Sequence, residues 1–196
     1  GDDELLTLFG HPLPKVRNEA AWTLRSREHK LLDKIRAMLR KGTREQRLSA
    51  IGYFGYQCPP EQAKAALDDL TAMLHDPAED RELRAAAAGS LSLLGEAAYP
   101  SYTDILRLIA DDEPDDPRGR IDEQLGAALA ALGPDPYKAG LVKDKELFYQ
   151  AVRKLLGHRR AIGRTYGARL LANMPLEDFH YVGDRLRHII DDQDLT

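Results

Sequence analysis

The residues with the clearest chemical meaning form a basic run in the last third of the chain. Its members are Arg153, Lys154, His158, Arg159, Arg160, Arg164 and Arg169. Three of them flank a short predicted turn, so several charges could share one edge of the folded chain and bind an anion, a phosphate or an acidic partner. The alternative is an ordinary solvated face. The predicted partner contacts are Arg153, Lys154, Arg159, Arg160 and Arg164.

Nucleic acid is a second hypothesis for these residues, because affinity for a phosphate backbone grows with the number of bases engaged. Residues 15–47 carry eleven Lys and Arg against four acids, and residues 143–187 carry ten against five. Residues 61–135 carry six against seventeen. A duplex needs a broadly basic face, and this acidic middle opposes one. We therefore expect a protein, or a flanking domain of the same polypeptide, as the partner rather than nucleic acid.

Other reactive side chains lack the spacing that a site needs. The acidic loop 111–117, DDEPDDP, offers oxygen ligands but not the DxDxDG pattern of a specific calcium loop, so a solvated loop is expected. His180 and His188 lie about 12 Å apart along one predicted helix, too far to share a metal. Cys58 has no basic sequence neighbour to activate its thiol. The sequence therefore predicts no catalytic residue, no metal site and no cofactor.

Helices must position the basic run. The 196-residue chain is rich in Ala, Leu, Arg and Asp and poor in β-branched residues, which predicts an all-α protein. No apolar run approaches the roughly 20 residues that span a bilayer. About eleven helices are predicted in pairs, with a last helix from Pro175 to about Ile190. In the clearest pair, Asp76-Pro77 ends one helix, and Ala87, Ala88 and Leu91 form the apolar stripe of the next.

An internal period joins these helices into repeats. The intervals between equivalent positions are 30, 37, 40 and 40 residues, for Arg17, Arg47, Arg84, Gln124 and Arg164. Glycines recur at 37 residues throughout, so the two registers disagree in the last unit, and we prefer the arginine register there. Arg17, Arg47 and Arg84 are predicted to be structural, each pairing with an aspartate of a turn in its own or the next unit. The expected acceptors are Asp76 and Asp111 or Asp112.

The element DPxxxxRxxAAxxL, from Asp76 through Arg84 to Leu91, resembles HEAT-like (armadillo-type) repeats. Weaker copies lie at 10–24 and 42–54, and the resemblance covers nearly the whole chain, most weakly at 111–143. It implies a right-handed α-solenoid of about five helical hairpins plus a terminal helix, in a single domain over residues 1–196. It also implies a non-catalytic scaffold or protein-interaction module.

HEAT-like proteins with other activities provide the alternatives. HEAT-like alkylpurine DNA glycosylases bind a DNA duplex. HEAT-like bilin lyases are another class of enzyme, and no set of residues in this sequence suits their activity. Residues 143–178 resemble the repeat region of large uncharacterised bacterial proteins that are often secreted. The chain begins Gly-Asp-Asp-Glu without Met. We therefore expect a fragment of a longer protein, secreted or periplasmic if a leader has been removed.

Overall fold

A computed structural model describes residues 1–25, 31–111, 117–133 and 135–183. These residues contain eleven α-helices and no β-strand, which confirms the all-α prediction. The helices are α1 Asp2–Thr7, α2 Pro14–Arg25, α3 Leu32–Lys41, α4 Arg44–Gly52, α5 Pro60–Ala63, α6 Leu67–His75, α7 Arg81–Ser92, α8 Tyr102–Ala110, α9 Ile121–Leu132, α10 Lys145–Leu156 and α11 Ala161–Leu171. Four 3₁₀ segments accompany them, at Leu8–Gly10, Lys64–Ala66, Gly95–Ser101 and Leu176–Tyr181. None of the described helices is long and apolar enough to cross a bilayer.

The chain divides into two compact units, Gly1–Ala98 (unit 1) and Tyr99–Thr196 (unit 2). In unit 1, α1 packs on α2, α3 on α4 and α6 on α7, and α4 also packs on α2 and α7. In unit 2, α8 packs on α9 and α10 on α11, while α8 also contacts α10 and α9 contacts α11. Each unit therefore consists of helical hairpins that lie side by side.

Side-chain caps determine where several helices begin. Thr43 and Gln46 form the capping box that their spacing predicts, since Thr43 Oγ1 accepts from the Gln46 N–H and Gln46 Oε1 accepts from the Thr43 N–H. Asp80 accepts from two N–H groups in the first turn of α7, and Asp144 accepts from the Leu147 N–H in α10. These caps satisfy N–H groups that have no partner within the helix.

The predicted inward face is buried. Ala87, Ala88 and Leu91 in α7 are fully shielded from solvent, and Ile51 in α4 is nearly so. Because one hairpin cannot cover both sides of its apolar stripe, this burial depends on the neighbouring hairpin.

The structure departs from a regular α-helix in two places. After α4 the chain forms a π-helical turn over Tyr53–Gln57. Ser90 of α7 donates its hydroxyl to the Ile51 carbonyl at 2.9 Å, beside Gly55, whose missing Cβ makes room for Ser90. A side chain that bonds into the helical ladder displaces its regular pattern.

The second departure concerns the last predicted helix. Its described part, Leu176–Tyr181, is a 3₁₀ segment. Residues 184–190 of that prediction, including His188, lie outside the described residues, and so does most of the acidic loop, at 112–116.

Candidate functional site

The repeated arginines occupy one structural position. The second helices of the hairpins are α2, α4, α7, α9 and α11, and their starts at residues 14, 44, 81, 121 and 161 are separated by 30, 37, 40 and 40 residues. The fourth residue of each is, in order, Arg17, Arg47, Arg84, Gln124 and Arg164. The recurring glycines, in contrast, occupy the ninth position in α4 and α7 but the sixth in α9 and the third in α11. The arginine register therefore describes the hairpins.

These arginines bind main-chain carbonyls rather than the predicted aspartates. Arg47 Nε donates to the Leu39 carbonyl at 3.1 Å, and Arg84 Nε donates to the Leu74 carbonyl at 2.9 Å. Arg17 Nη1 likewise donates to the His11 carbonyl at 2.8 Å. Leu39 and Leu74 lie in the last turns of α3 and α6, where carbonyls have no partner within the helix and carry its negative dipole end, so they attract a guanidinium. His11 lies in the turn directly after the 3₁₀ segment Leu8–Gly10. We call this contact the carbonyl clamp.

The predicted acceptors have other roles. Asp76 accepts from the Ala78 N–H at 2.9 Å, inside its own turn, and Asp111 contributes its main-chain carbonyl. Asp112 lies outside the described residues. Arg47 does bind an acid in the turn of the following hairpin, but that acid is Glu79, held through both carboxylate oxygens. Arg47 therefore links two neighbouring hairpins, but its acceptor is Glu79 and not the predicted aspartate.

Lys154 supplies the clamp where Gln124 replaces arginine. Its ammonium donates to the Asp111 carbonyl at 2.6 Å, directly after α8, and lies 3.6 Å from the Asp122 carboxylate. Asp122 is only 2% exposed. Because Lys154 belongs to α10, this clamp joins the α8/α9 hairpin to the next one. A residue predicted to contact a partner thus has a structural contact.

The other predicted partner residues lie near the turns of unit 2. Arg153 donates through Nη2 to Glu146 at 2.8 Å and through Nη1 to the Tyr181 carbonyl at 2.9 Å. Arg160 Nη1 forms an ion pair with Glu123 at 3.0 Å. Arg164 Nη1 donates to the His158 carbonyl at 2.9 Å. These side chains are held by their own unit.

Arg159, Arg160 and Arg164 come together at the start of α11, and we call these three residues the arginine edge. Arg159 is exposed and lies against the turn 117–120 that precedes α9. At Gly119 in that turn, φ is +67°, and an added Cβ would stand 2.7 Å from Arg159 Nε. The contact between this turn and Arg159 could not be predicted from the sequence. Gly119 lies 40 residues before Arg159, and only the packing of the two hairpins brings them together.

The start of α11 is itself positive. The first turn contains no acidic residue and Arg160 at its N-cap makes no side-chain cap. The buried His158 ring accepts from the main-chain N–H of the N-cap residue Arg160, through Nδ1 at 3.2 Å. The ring lies against Gly163, where a Cβ would collide with it. Because the helix dipole is positive at this end, it adds to the charge of the arginine edge.

Comparisons with known proteins assign no family. No known protein-family profile and no curated protein matches the chain. The resemblance to HEAT-like repeats therefore rests on the repeat residues, and the function must be argued from the contacts of the described side chains.

A second polar group in unit 2 joins the exposed Lys145 of α10 to the buried Asp178 of the last 3₁₀ segment. Lys145 Nζ lies 2.9 Å from the Asp178 carboxylate, which is 5% exposed. The Tyr149 hydroxyl, and then Lys145, lower the pKa of Asp178. The Tyr149 ring also stacks on Tyr181, with ring centroids 4.8 Å apart. This group attaches the 3₁₀ segment to α10.

The remaining candidates are Cys58 and the histidines. Burial raises the pKa of Cys58 to about 11, so its thiol is protonated at neutral pH. In the described part of the chain, no three His, Cys, Asp or Glu side chains are grouped to hold a metal. His180 is therefore not part of a metal-binding group among these described residues. His188, the other histidine of the last predicted helix, lies outside them.

Proposed function

We propose that the chain is a non-catalytic scaffold or protein-interaction module, built of HEAT-like hairpins in a right-handed α-solenoid. The observation that carries this proposal is the repeated carbonyl clamp at the fourth position of successive second helices. It supports hairpins of one kind, and within each unit these hairpins pack side by side. Stacked hairpins cover one another's apolar stripes and leave a continuous row of helices for a partner.

The partner is another protein or a flanking region of the same longer polypeptide, and the arginine edge is its contact. Internal hydrogen bonds already hold Arg160 and Arg164, so binding orders these long side chains less than it would order unrestrained ones. Preorganised side chains lose less conformational entropy on binding and favour affinity. Arg153 and Lys154 support the edge, because their contacts hold the end of α10 in place.

The acidic neighbours of the edge favour protein over nucleic acid. Glu123, at 21% side-chain exposure, stands beside Arg160, and Asp122 stands beside Lys154. A continuous phosphate backbone would meet these carboxylates as well as the arginines, which reduces its electrostatic gain.

The experiment is affinity capture with the immobilised chain, using extracts that contain its full-length polypeptide and its natural partners. The test variant carries Arg159→Glu and Arg160→Glu, and the matched control carries Arg169→Glu, an exposed arginine of the same helix. We expect a protein that the parent and the control retain and the test variant loses, with all three chains showing the helical circular dichroism of the parent. Retention of no protein by the parent, or of nucleic acid in its place, would refute the proposal.

A further inference from the structure

We infer that the arginine edge recognises an acidic segment of the partner, with Arg160 and Arg164 each directing a guanidinium fork at a carboxylate. The inference rests on the proposed function and specifies the chemistry of its partner. It follows from which guanidinium nitrogens the fold uses and which it leaves.

The fold uses one terminal nitrogen of each fork. Arg160 contacts Glu123 and the Arg118 carbonyl through Nη1, and Arg164 contacts two carbonyls through Nη1. Their Nε and Nη2 atoms make no hydrogen bond or ion pair within the described residues, and none of them is a fully buried atom without a partner. Nε and Nη2 form the side of the guanidinium that binds a carboxylate through two parallel hydrogen bonds. The internal contacts therefore hold each guanidinium through Nη1 and leave its Nε and Nη2 donors available for a carboxylate.

The two forks are spaced for neighbouring acidic side chains. The Arg164 N–H donates to the Arg160 carbonyl at 3.3 Å, so the residues are one helical turn apart. Side chains at this spacing have Cβ atoms about 5–6 Å apart, which suits two separate carboxylates. Glu123 beside Arg160 disfavours a continuous phosphate backbone at this place.

Gly119 fixes the third member of the edge. Because its φ is positive and it has no Cβ, the Arg159 guanidinium can lie along its backbone. An alanine there would displace Arg159 while leaving every charge in place. Gly140 offers a matched control, since it has nearly the same φ, +68°, with nothing within 4 Å of an added Cβ.

The probe is a fluorescein-labelled peptide with four consecutive glutamates, and the reference is the same peptide with four glutamines. Fluorescence anisotropy at low salt measures binding to the whole chain. We expect the glutamate peptide to bind the parent at least tenfold more tightly than the glutamine peptide, and more tightly than a labelled DNA duplex. Equal binding of the two peptides, or tighter binding of the duplex, would overturn the inference.

Two pairs of variants locate the contact. Gly119→Ala should weaken glutamate-peptide binding about three- to tenfold, the range expected for one lost or misplaced hydrogen bond, whereas Gly140→Ala should not. Arg164→Lys keeps the charge and a donor for the carbonyls but loses the fork, so a similar loss is expected, with Arg169→Lys on the same helix as its control. Equal affinities within either pair would overturn the assignment to these residues.

Failure of this inference can be distinguished from failure of the proposed function. If the captured partner binds normally but the glutamate peptide neither binds nor displaces it, the acidic-segment inference is wrong and the interaction module stands. If the parent captures no protein, the proposed function fails whatever the peptide does.

Discussion

Replacing Gly167 by alanine tests the close packing of α10 and α11 on which the arginine edge depends. An added Cβ would stand 2.7 Å from the Leu156 main-chain nitrogen and 3.0 Å from the Leu155 carbonyl carbon. Carbon atoms in ordinary contact are about 3.5–4.0 Å apart, so the two helices would have to separate by up to about 1 Å. Neither neighbour is the flexible end of a side chain, and relief must therefore come from the backbone.

The expected net cost is about 1–3 kcal/mol in the free energy of unfolding, the usual range for overpacking a well-packed interior. Gly52→Ala is the matched control, because Gly52 is also in a second helix and its added Cβ meets nothing within 4 Å. That change should instead stabilise the protein by up to about 1 kcal/mol, since alanine is the better helix former.

Urea unfolding followed by circular dichroism at 222 nm measures both variants. We expect a lower urea midpoint for Gly167→Ala and an equal or higher midpoint for Gly52→Ala. The slope of the free energy of unfolding against urea concentration should be unchanged in both variants. A Gly167→Ala variant as stable as the parent would show that the helices do not approach this closely. Equal losses for both variants would show that alanine is harmful for a reason other than contact.

Further predictions concern the clamp, the core and two titrating groups. Arg84→Met should lower the free energy of unfolding by about 1–3 kcal/mol because it leaves the buried Leu74 carbonyl without its donor, and an unchanged urea midpoint would contradict the clamp. Leu91→Ala should cost about 2–5 kcal/mol by opening a buried cavity, and parent-like melting would place Leu91 outside the core. Asp178 has a lowered pKa in the folded state, so its contribution to stability is present above the unfolded value and is lost as pH falls through the folded one. Asp178→Asn should therefore reduce the loss of stability on acidification below about pH 4, and thermal melts from pH 6 to pH 2 that parallel the parent would contradict this. Cys58 should react slowly with iodoacetamide at pH 8 in the folded protein and rapidly in urea, whereas equal rates would show an accessible, reactive thiol.

The helical content and the repeat register could be predicted from local patterns. Proline, caps and apolar spacing act within a few residues, so α7 and its stripe of Ala87, Ala88 and Leu91 follow from sequence. The arginine register was right because the arginine binds nearby main-chain carbonyls in four of the five hairpins. The glycine register was misleading, since the glycines have different surroundings: the His158 ring occupies the space of a Cβ at Gly163, whereas an added Cβ at Gly52 would meet nothing within 4 Å.

The partners of the arginines could not be predicted from their types. A guanidinium can donate to a carboxylate or to a main-chain carbonyl, and the sequence does not show which oxygen lies within reach. Carbonyls in the last turn of the preceding helix, or in the turn that follows it, lie within reach of the repeated arginines and accept from them. Lys154 is a further example. Where Gln124 stands in place of the repeated arginine, the donor to the carbonyl after α8 is Lys154, which belongs to the next hairpin.

The sequence by itself determined an all-α chain, the register of its repeated arginines and the basic character of residues 153–164. These depend on interactions between residues close in the chain. Tertiary structure alone decided which basic side chains are tied internally, that Arg159 lies against Gly119, and which nitrogens of Arg160 and Arg164 have no internal hydrogen bond. The physical reason is that hydrogen bonding and burial depend on distances across hairpins about 40 residues apart, which composition and spacing do not encode.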